Sequence, residues 1–326
     1  MSALMDQAES EPFGDRMEEI LTRGRAEQRA WRCVTLAERL TKVATWRGRL
    51  AARADRFAAL AAGDGHPIPE VLVSELLPLL EACRFLEKRA TAILAGRRVG
   101  RLGAPLWMGN ISSAVVREPY GVVGVVSPGN YPLFLGAVQV LQAVVAGNAV
   151  LWKPAPGCAE VAHALVAEMA LAGFPEALVQ VLGESDAWGR ALSASPLDKL
   201  IFTGSHATGA KVLGALSRNA VPSVMELSGC DAVFVRKDAD LERVTRALHF
   251  GLQFNESRTC IAPRRVYVAS ALKRPFLEQM SAALARQKTG FASEADTARL
   301  RPLFEAASRR GARFLCGGMF PDGRRV

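Results

Sequence analysis

The sequence predicts an α/β protein in which helices precede a doubly wound parallel sheet. Three observations support this prediction. From about residue 119 onward, short apolar runs alternate with helical segments, and no charged residue lies between Pro119 and Trp152. The polar and glycine-rich positions follow directly after the apolar runs. Strands that are apolar on both faces are typical of parallel sheets with helices above and below.

The region from Met17 to about Ala95 is predicted to be helical, because Leu76, Leu79 and Cys83 repeat at helical spacing. The glycines and proline of residues 63–67 mark a break between helices. The alternating elements that follow are predicted as strand 121–127, helix 133–146, strand 149–152, helix 160–172, strand 179–182, helix 187–194, strand 200–202, a helix to about 216 and strand 223–227. A second pattern begins at Asp231, with strand 232–235, helix 241–253, strand 265–268 and helices near 276–286 and 297–310.

Composition and charge exclude several classes of function. The net charge of +9 comes mostly from dispersed arginines, without a basic run interleaved with aromatic residues, so we expect no nucleic-acid partner. The uncharged stretch 119–152 is interrupted by prolines, glycines, Asn and Gln, which indicates buried strands and helices instead of a membrane span. The six cysteines form no C-x-x-C pair and there are four histidines, so a zinc site is not expected. The polar start of the chain predicts a cytoplasmic protein with reduced thiols.

Ligands bind at the carboxyl ends of the strands in such sheets. The residues at those predicted ends are Ser127 to Asn130, Lys153 with Pro154, Thr203 to Ser205, and Glu226 to Gly229. These positions are also the polar and glycine-rich positions of the region. The sequence therefore predicts a ligand site along this edge.

Cys260 and Glu226 could together support covalent catalysis, because a thiol nucleophile and a carboxylate base suffice for acyl transfer. Burial at a strand end would raise the pKa of Glu226 and suit it to general-base work, although a salt-bridged structural carboxylate is the alternative. The charge of Arg258 could favour the Cys260 thiolate. The other five cysteines are expected to be inert packing residues.

Other positions at the predicted edge each allow two interpretations. The Asn130 amide could donate to an oxyanion, or Asn130 could simply tolerate turn geometry. Lys153 could bind cofactor hydroxyls or phosphate, or its charge could reach solvent at a strand end. The turn at Gly204 and Ser205 could approach a phosphate or be an ordinary strand–helix connection, since it lacks the full G-x-G-x-x-G pattern.

The order of these motifs from about Val115 to Val268 resembles the aldehyde dehydrogenase superfamily. The motifs are Glu118-Pro119-Tyr120-Gly121-Val122-Val123-Gly124, Ser127-Pro128-Gly129-Asn130-Tyr131-Pro132, Ala146-Gly147-Asn148, Trp152-Lys153-Pro154, Phe202-Thr203-Gly204-Ser205, Glu226-Leu227 and Thr259-Cys260-Ile261-Ala262-Pro263-Arg264. The resemblance implies N-terminal helices with a doubly wound dinucleotide-binding domain in residues 1–229. It also implies an α/β catalytic domain in residues 230–326 that is incomplete at its C-terminus.

The resemblance implies oxidation of an aldehyde to a carboxylic acid with NAD or NADP. Cys260 would be the nucleophile, Asn130 an oxyanion donor together with the Cys260 backbone N–H, and Glu226 the base that activates water. Lys153 would contact the adenosine ribose, and Gly204 with Ser205 would lie by the pyrophosphate. The other residues implied at the cofactor are Ser127, Pro128, Pro154 and Leu227.

The sequence departs from the family pattern at several positions. Ser228-Gly229-Cys230 replaces two glycines and a lysine, and Ser257-Arg258 replaces the usual Gly-Gln before the cysteine. Pro156 stands where NAD-preferring members often have an acidic residue, which leaves NAD and NADP both open. The family's later Glu-x-Phe-Gly-Pro motif is missing, and residues 321–326 resemble a turn entering a strand.

These departures predict a truncated chain, for which the homo-oligomer expected of a complete chain is doubtful. Two alternative functions stay open. One is a catalytically inactive nucleotide-binding or interaction protein of the same fold. The other is a CoA-acylating aldehyde dehydrogenase, for which a water-activating Glu226 would be unnecessary.

Overall fold

The computed structural model of the protein describes residues 11–63, 67–100, 105–109, 111–286 and 294–315. These residues divide into two compact units, which separate between Ser228 and Gly229. The predicted turn at residues 321–326 and the sixth cysteine, Cys316, lie outside the described residues.

Helices form the N-terminal part of the first unit, in the region where the sequence predicts them. They are α1 (Glu11–Trp31), α2 (Leu36–Ala52), α3 (Ala54–Ala62), α4 (Ile68–Val71) and α5 (Leu77–Leu94), with a π-helical turn at Leu72–Leu76 between the last two. Thr35 and Glu38 form a capping box at the start of α2. Strands β1 (Arg97–Gly100) and β2 (Ser113–Val115) then form an antiparallel pair that the sequence analysis missed.

The first unit contains the predicted parallel sheet. Its elements are β3 (Val122–Val126), α6 (Leu135–Val145), β4 (Ala149–Lys153), α7 (Ala159–Leu171), β5 (Val179–Val181), α8 (Asp186–Ala194), β6 (Lys199–Thr203), α9 (His206–Leu216) and β7 (Ser223–Glu226). The five strands are parallel and lie in the order β5-β4-β3-β6-β7. The prediction of an α/β fold with a parallel sheet is confirmed.

Burial differs between the centre and the edge of this sheet. Strands β3 and β4 are buried almost throughout, and Trp152 is 1% exposed. Strand β7 alternates instead, because Val224 and Glu226 are exposed while Ser223 and Met225 are half-buried. The expectation that every strand is covered on both faces is therefore wrong for β7, which is an edge strand and pairs only with β6 in the described sheet.

The N-terminal helices are fastened to the helices of the sheet by long-range hydrogen bonds. The Trp31 indole Nε1 donates to the Val144 carbonyl at 2.8 Å, and the Arg39 guanidinium donates to the Val145 carbonyl at 3.0 Å. Both acceptors lie in the last turn of α6, where a cation is favourable because the helix dipole is negative there. The Trp46 Nε1 donates to the Leu165 carbonyl of α7 at 3.2 Å.

The opposite end of α6 is held by a buried carboxylate. Glu75, in the π-helical turn, is 4% exposed, and its Oε2 accepts a hydrogen bond from the Leu133 N–H at 2.7 Å. The Phe134 N–H donates to the same carboxyl. Burial raises the pKa of Glu75 to about 7, although both backbone donors oppose this rise. Glu75 thus anchors the turn between β3 and α6.

The second unit contains a smaller parallel pair, and its predicted elements lie within a few residues of the observed ones. Its elements are β8 (Ala232–Val235), α10 (Leu241–Gln253), a 3₁₀ turn at Phe254–Ser257, β9 (Arg265–Val268), a 3₁₀ turn at Ser270–Leu272, α11 (Lys273–Ala285) and α12 (Glu294–Arg309). Strands β8 and β9 pair in parallel. Asp240 caps α10 by accepting from the Glu242 and Arg243 N–H groups at 3.0 and 3.2 Å.

A left-handed turn follows α10. Asn255, Glu256 and Ser257 have φ of 48°, 51° and 61° in succession. The left-handed conformation costs a residue with a Cβ about 1–2 kcal/mol. At residue 257, glycine is the residue that the family resemblance expects. The serine there is therefore held in a conformation that glycine adopts with much less strain.

None of the helices in the described ranges combines the length and apolar character that crossing a membrane requires.

We expect the substitution Glu75→Gln to change stability in a pH-dependent way. The pKa of Glu75 is raised above its ordinary 4.5, so the folded state holds the proton more tightly than the unfolded chain. This stabilising contribution is complete below pH 4.5 and is lost as the pH rises through about 7. Glu75→Gln should therefore be near neutral at pH 5 and more stable than the native protein at pH 8, by at most about 3 kcal/mol.

Urea unfolding followed by tryptophan fluorescence measures this difference, because Trp46 and Trp152 are buried in the first unit. Glu75→Ala is the control, since it leaves the backbone donors without an acceptor and should destabilise at both pH values. A difference between Glu75→Gln and the native protein that is the same at both pH values would contradict the prediction.

We expect Ser257→Gly to stabilise the segment before Cys260. Relief of the left-handed strain should exceed the extra chain entropy of glycine, for a net gain of up to about 1 kcal/mol. Hydrogen exchange of peptides from α10 and β9 reports this local opening energy. Ser270→Gly is the control, because Ser270 is not among the positive-φ residues of the described chain and should lose stability. Equal losses in both variants would refute the strain argument.

Candidate active site

The predicted site residues of the first unit all lie at one edge of the parallel sheet. In the strand register Val126 lies opposite Lys153 and Phe202, and Thr203 lies opposite Glu226. The carboxyl ends of β3, β4, β6 and β7 are therefore level with one another. The residues brought to this edge are Ser127, Pro128, Asn130, Lys153, Pro154, Gly204, Ser205, Glu226 and Leu227.

Ser127 is a buried part of the framework at this edge. Its Oγ accepts a hydrogen bond from the Trp152 Nε1 at 2.9 Å, and its N–H donates to the Lys153 carbonyl at 3.1 Å. Helix α6 approaches closely here, since a Cβ on Gly136 would lie 2.7 Å from both the Ser127 Cβ and the Trp152 Cζ2. These contacts fix the point at which the chain leaves β3.

Asn130 lies half-buried in the turn between β3 and α6. The next residue, Tyr131, is buried, and its carbonyl accepts from the Phe134 and Leu135 N–H groups at 3.3 and 3.2 Å. Glu75 holds the same turn through Leu133 and Phe134. The turn that carries the Asn130 amide is therefore supported by hydrogen bonds on its C-terminal side.

Lys153 is buried at the end of β4, with 5% of its surface exposed. This position corrects the interpretation of a charge that reaches solvent. The ammonium makes no hydrogen bond or ion pair within the described part of the chain. Burial lowers the pKa of Lys153, while the charges of Asp186, Glu184 and Cys158 oppose that change. A buried ammonium without direct acceptors is suited to bind the oxygens of a ligand.

The turn after β6 combines a close approach of backbone with a capped helix. A Cβ on Gly204 would lie 2.7 Å from the Phe202 ring, and a Cβ on Gly209 would lie 2.5 Å from the Leu227 side chain. The Ser205 Oγ caps α9 by accepting from the Thr208 N–H at 3.2 Å. A Cβ at either position would therefore force the Phe202 ring or the Leu227 side chain to move.

Glu226 is exposed at the end of β7, which corrects the expectation of burial. The physical reason is the alternation of side chains along this edge strand, which points Glu226 in the same direction as the exposed Val224. Among the described residues no ion pair to Glu226 is present, so the alternative of a salt-bridged carboxylate is also wrong. The carboxylate is accessible to solvent water.

Cys260 is exposed on the loop between the left-handed turn and β9 in the second unit. Buried residues flank it, with Thr259 at 7% and Ala262 at 0% exposure, and the Ala262 N–H donates to the Thr259 carbonyl at 3.3 Å. Gly229 packs against the Cys260 carbonyl so closely that an added Cβ would collide with it. The backbone of the loop is therefore held in place while the Cys260 side chain is exposed.

Arg258, the residue predicted to favour the Cys260 thiolate, forms an ion pair with a neighbouring carboxylate. Its guanidinium lies 3.0 Å from the Glu256 carboxylate, and both side chains are exposed. Arg264 instead braces the loop, because its guanidinium donates to the Ser257 carbonyl at 2.6 Å.

The remaining cysteines do not all fit the expectation of buried packing residues. Cys83 and Cys158 are buried, and burial raises the pKa of Cys83 to about 12. Cys33 and Cys230 are exposed, so the expectation is wrong for them.

Sequence reasoning missed three polar residues near the sheet edge. Glu75 gives no signal in sequence because its partners are backbone groups far along the chain. Gln139 donates to the Thr203 Oγ1 at 2.8 Å, and its buried Oε1 accepts no hydrogen bond from the described residues. Glu184 follows β5, so its place at a strand end could have indicated it. A polar residue within an otherwise apolar helix was the available signal for Gln139.

Comparison with known proteins identifies the family. The sequence pattern of the aldehyde dehydrogenase family matches residues 13–325. The chain is 33% identical over 276 residues to a 4,4'-diapolycopene aldehyde oxidase of Methylomonas sp, covering 84% of this chain and 52% of that protein. It is 33% identical over 258 residues to a probable coniferyl aldehyde dehydrogenase of Pseudomonas aeruginosa, covering 74% of this chain and 52% of that protein.

Solved structures share the fold. An NADP-dependent enzyme of E. coli superposes with a TM-score of 0.84 at 24% identity, over 95% of this chain and 66% of that one. An aldehyde dehydrogenase of Mycobacterium tuberculosis complexed with NAD+ superposes with a TM-score of 0.83 at 26% identity, over 93% of this chain and 64% of that one. NAD and NADP are both found among these neighbours.

The chain spans about half the length of the curated relatives it matches, 52% for both named above. The match to the family pattern nevertheless covers almost all of this chain and includes both units. By that match, the protein belongs to the aldehyde dehydrogenase family.

Proposed function

We propose that the protein oxidises an aldehyde to a carboxylic acid with NAD(P)⁺, through a thioester on Cys260. The observation that carries this proposal is the placement of Asn130, Lys153, Gly204 and Glu226 at one carboxyl edge of a parallel sheet in a member of this family. That edge is where such sheets bind their ligands. The exposed thiol of Cys260, on a loop braced from both sides, supplies the nucleophile.

The residues at the sheet edge fit a dinucleotide. The buried Lys153 ammonium has no direct acceptor among the described residues and would bind ribose hydroxyls. Gly204, which packs against the Phe202 ring, leads into the N-terminus of α9, where a pyrophosphate would be favoured. Ser127, Pro128, Pro154, Ser205 and Leu227 would form the surrounding surface. When bound, the cofactor supplies the oxidant that accepts a hydride.

The covalent step begins at Cys260. Its thiolate attacks the aldehyde carbon and forms a carbon–sulfur bond, and the carbonyl oxygen becomes an oxyanion. The side-chain amide of Asn130 and the Cys260 N–H would donate hydrogen bonds to this oxyanion, which lowers the barrier. The turn that carries Asn130 is supported by hydrogen bonds, which would hold this amide in place. Loss of a hydride from the same carbon leaves a thioester.

The second step is hydrolysis of the thioester. Glu226 would accept a proton from water, which attacks the thioester carbon and releases the carboxylic acid and the Cys260 thiol. The exposure of Glu226 supports this role, since water reaches the carboxylate directly. A CoA-acylating enzyme would transfer the acyl group to a thiol instead, and would not need this base.

We expect Cys260→Ala to lower aldehyde oxidation by at least about a thousandfold, because the proposed thioester forms on the Cys260 thiol. The measurement is formation of reduced nicotinamide from coniferyl aldehyde, succinate semialdehyde or betaine aldehyde, substrates taken from the names of related proteins. The matched control is Cys230→Ala, because Cys230 is also exposed in the second unit. This variant should keep the activity of the native protein. Cofactor binding without turnover in the native chain would favour the inactive nucleotide-binding alternative.

We expect Glu226→Gln to separate the two chemical steps. The first turnover should still release about one equivalent of reduced nicotinamide, while steady turnover falls by about 10²–10⁴-fold, because water lacks its base. Rapid mixing resolves the burst, and mass spectrometry detects the acyl group on Cys260. Glu19→Gln, an exposed carboxylate on α1, serves as the control. A loss of burst and turnover together would contradict the role, and acyl-CoA formation on addition of CoA would support the CoA-acylating alternative.

A further inference from the structure

The Glu184 carboxylate lies at the N-terminus of α7, and its charge acts on the Lys153 ammonium. It lies between β5 and α8, and its Oε2 accepts hydrogen bonds from the Gly157 and Ala159 N–H groups at 3.0 and 3.2 Å. These donors belong to the start of α7, where the helix dipole favours an anion. Gly157 has φ of 78°, a left-handed conformation that favours glycine and lets the backbone turn toward the carboxylate. The helix end therefore already holds a negative charge.

A second, independent feature indicates that a ligand belongs at this place. The Lys153 ammonium is buried, makes no direct ion pair with any described residue, and has Glu184 and Asp186 among the charges that act on it. The first turn of α7 adds Glu160. The charged groups around this position are thus one buried cation and several carboxylates. Such a combination suits hydroxyl groups, which can donate to a carboxylate and accept from an ammonium.

The two dinucleotides differ at this type of position. NAD carries a ribose 2′-hydroxyl where NADP carries a 2′-phosphate, and an acidic residue favours the hydroxyl whereas a cation accommodates the phosphate. A phosphate at the start of α7 would have to replace Glu184 on the Gly157 and Ala159 N–H groups. It would also face repulsion from Glu184 and Asp186. Pro156 has no charge with which to discriminate between the hydroxyl and the phosphate. Glu184, which follows β5, places a carboxylate at this position instead.

We propose that Glu184 makes the cofactor site selective for NAD over NADP. This inference rests on the proposed function, in which Lys153 contacts the adenosine ribose of the cofactor. The carboxylate acts by accepting a hydrogen bond from the 2′-hydroxyl and by repelling a 2′-phosphate. Its two backbone hydrogen bonds fix it in place before the cofactor binds, so little entropy is lost on binding.

The test is fluorescence titration of the protein with NADH and with NADPH, without aldehyde. The native protein should bind NADH at least about tenfold more tightly than NADPH. Glu184→Ala should reduce this ratio by at least about tenfold, because it removes the charge and opens the helix end. Glu184→Gln should give an intermediate ratio, since its amide oxygen can still accept from the backbone without repelling phosphate. Thermal unfolding of each variant verifies that it is folded.

The matched control is Glu176→Gln, which removes the same charge from an exposed residue. Glu176 precedes β5 and therefore lies toward the amino end of that strand, away from the carboxyl edge. Its ratio should equal that of the native protein. An unchanged ratio in Glu184→Gln and Glu184→Ala, or tighter binding of NADPH by the native protein, would overturn the role of Glu184. If the folded native protein binds neither dinucleotide, the proposed function itself fails, together with the inference that rests on it.

Discussion

The register of the parallel sheet is the constraint on which the rest of the first unit depends. Because Val126, Lys153 and Phe202 lie opposite one another, and Thr203 lies opposite Glu226, four strands end at one level. A shift of one residue in any strand would turn its side chains to the other face. Apolar residues on both faces of β3 and β4 would tolerate such a shift, so the tight contact of Gly136 with Ser127 and Trp152 is needed to fix it.

The sequence predicted the alternation of strands and helices because each signal is local. Apolar runs gave the strands, and Gly147 with Asn148 gave the end of α6. The ends of these elements then predicted which residues share the sheet edge. The antiparallel pair of β1 and β2 was missed because its exposed strands, such as Arg97–Gly100, lack an apolar pattern. Propensity identifies an element only where burial shapes its composition.

The environments of the side chains could not be predicted in the same way. Glu226 was expected to be buried, but the position of β7 at the sheet edge, a tertiary property, exposes it. From the sequence alone, a charge that reaches solvent was the simpler interpretation of Lys153 at a strand end, and only its tertiary contacts bury it. The bond between Glu184 and the start of α7 joins residues 25 and 27 positions apart. The periodicity of the sequence does not predict such a contact, because every residue except proline has a backbone N–H that could be the donor.

The hydrogen bonds of Glu75 have a consequence for how separable the parts of this fold are. The parallel sheet looks like a separate module, yet the turn that carries Asn130 is held by a carboxylate from the N-terminal helical layer. Exchanging that layer for one from another protein would leave the Leu133 N–H without its acceptor unless a side-chain acceptor were supplied at the same place. The helical layer and the sheet therefore cannot be exchanged independently, because the Glu75 side chain of one supports a turn of the other.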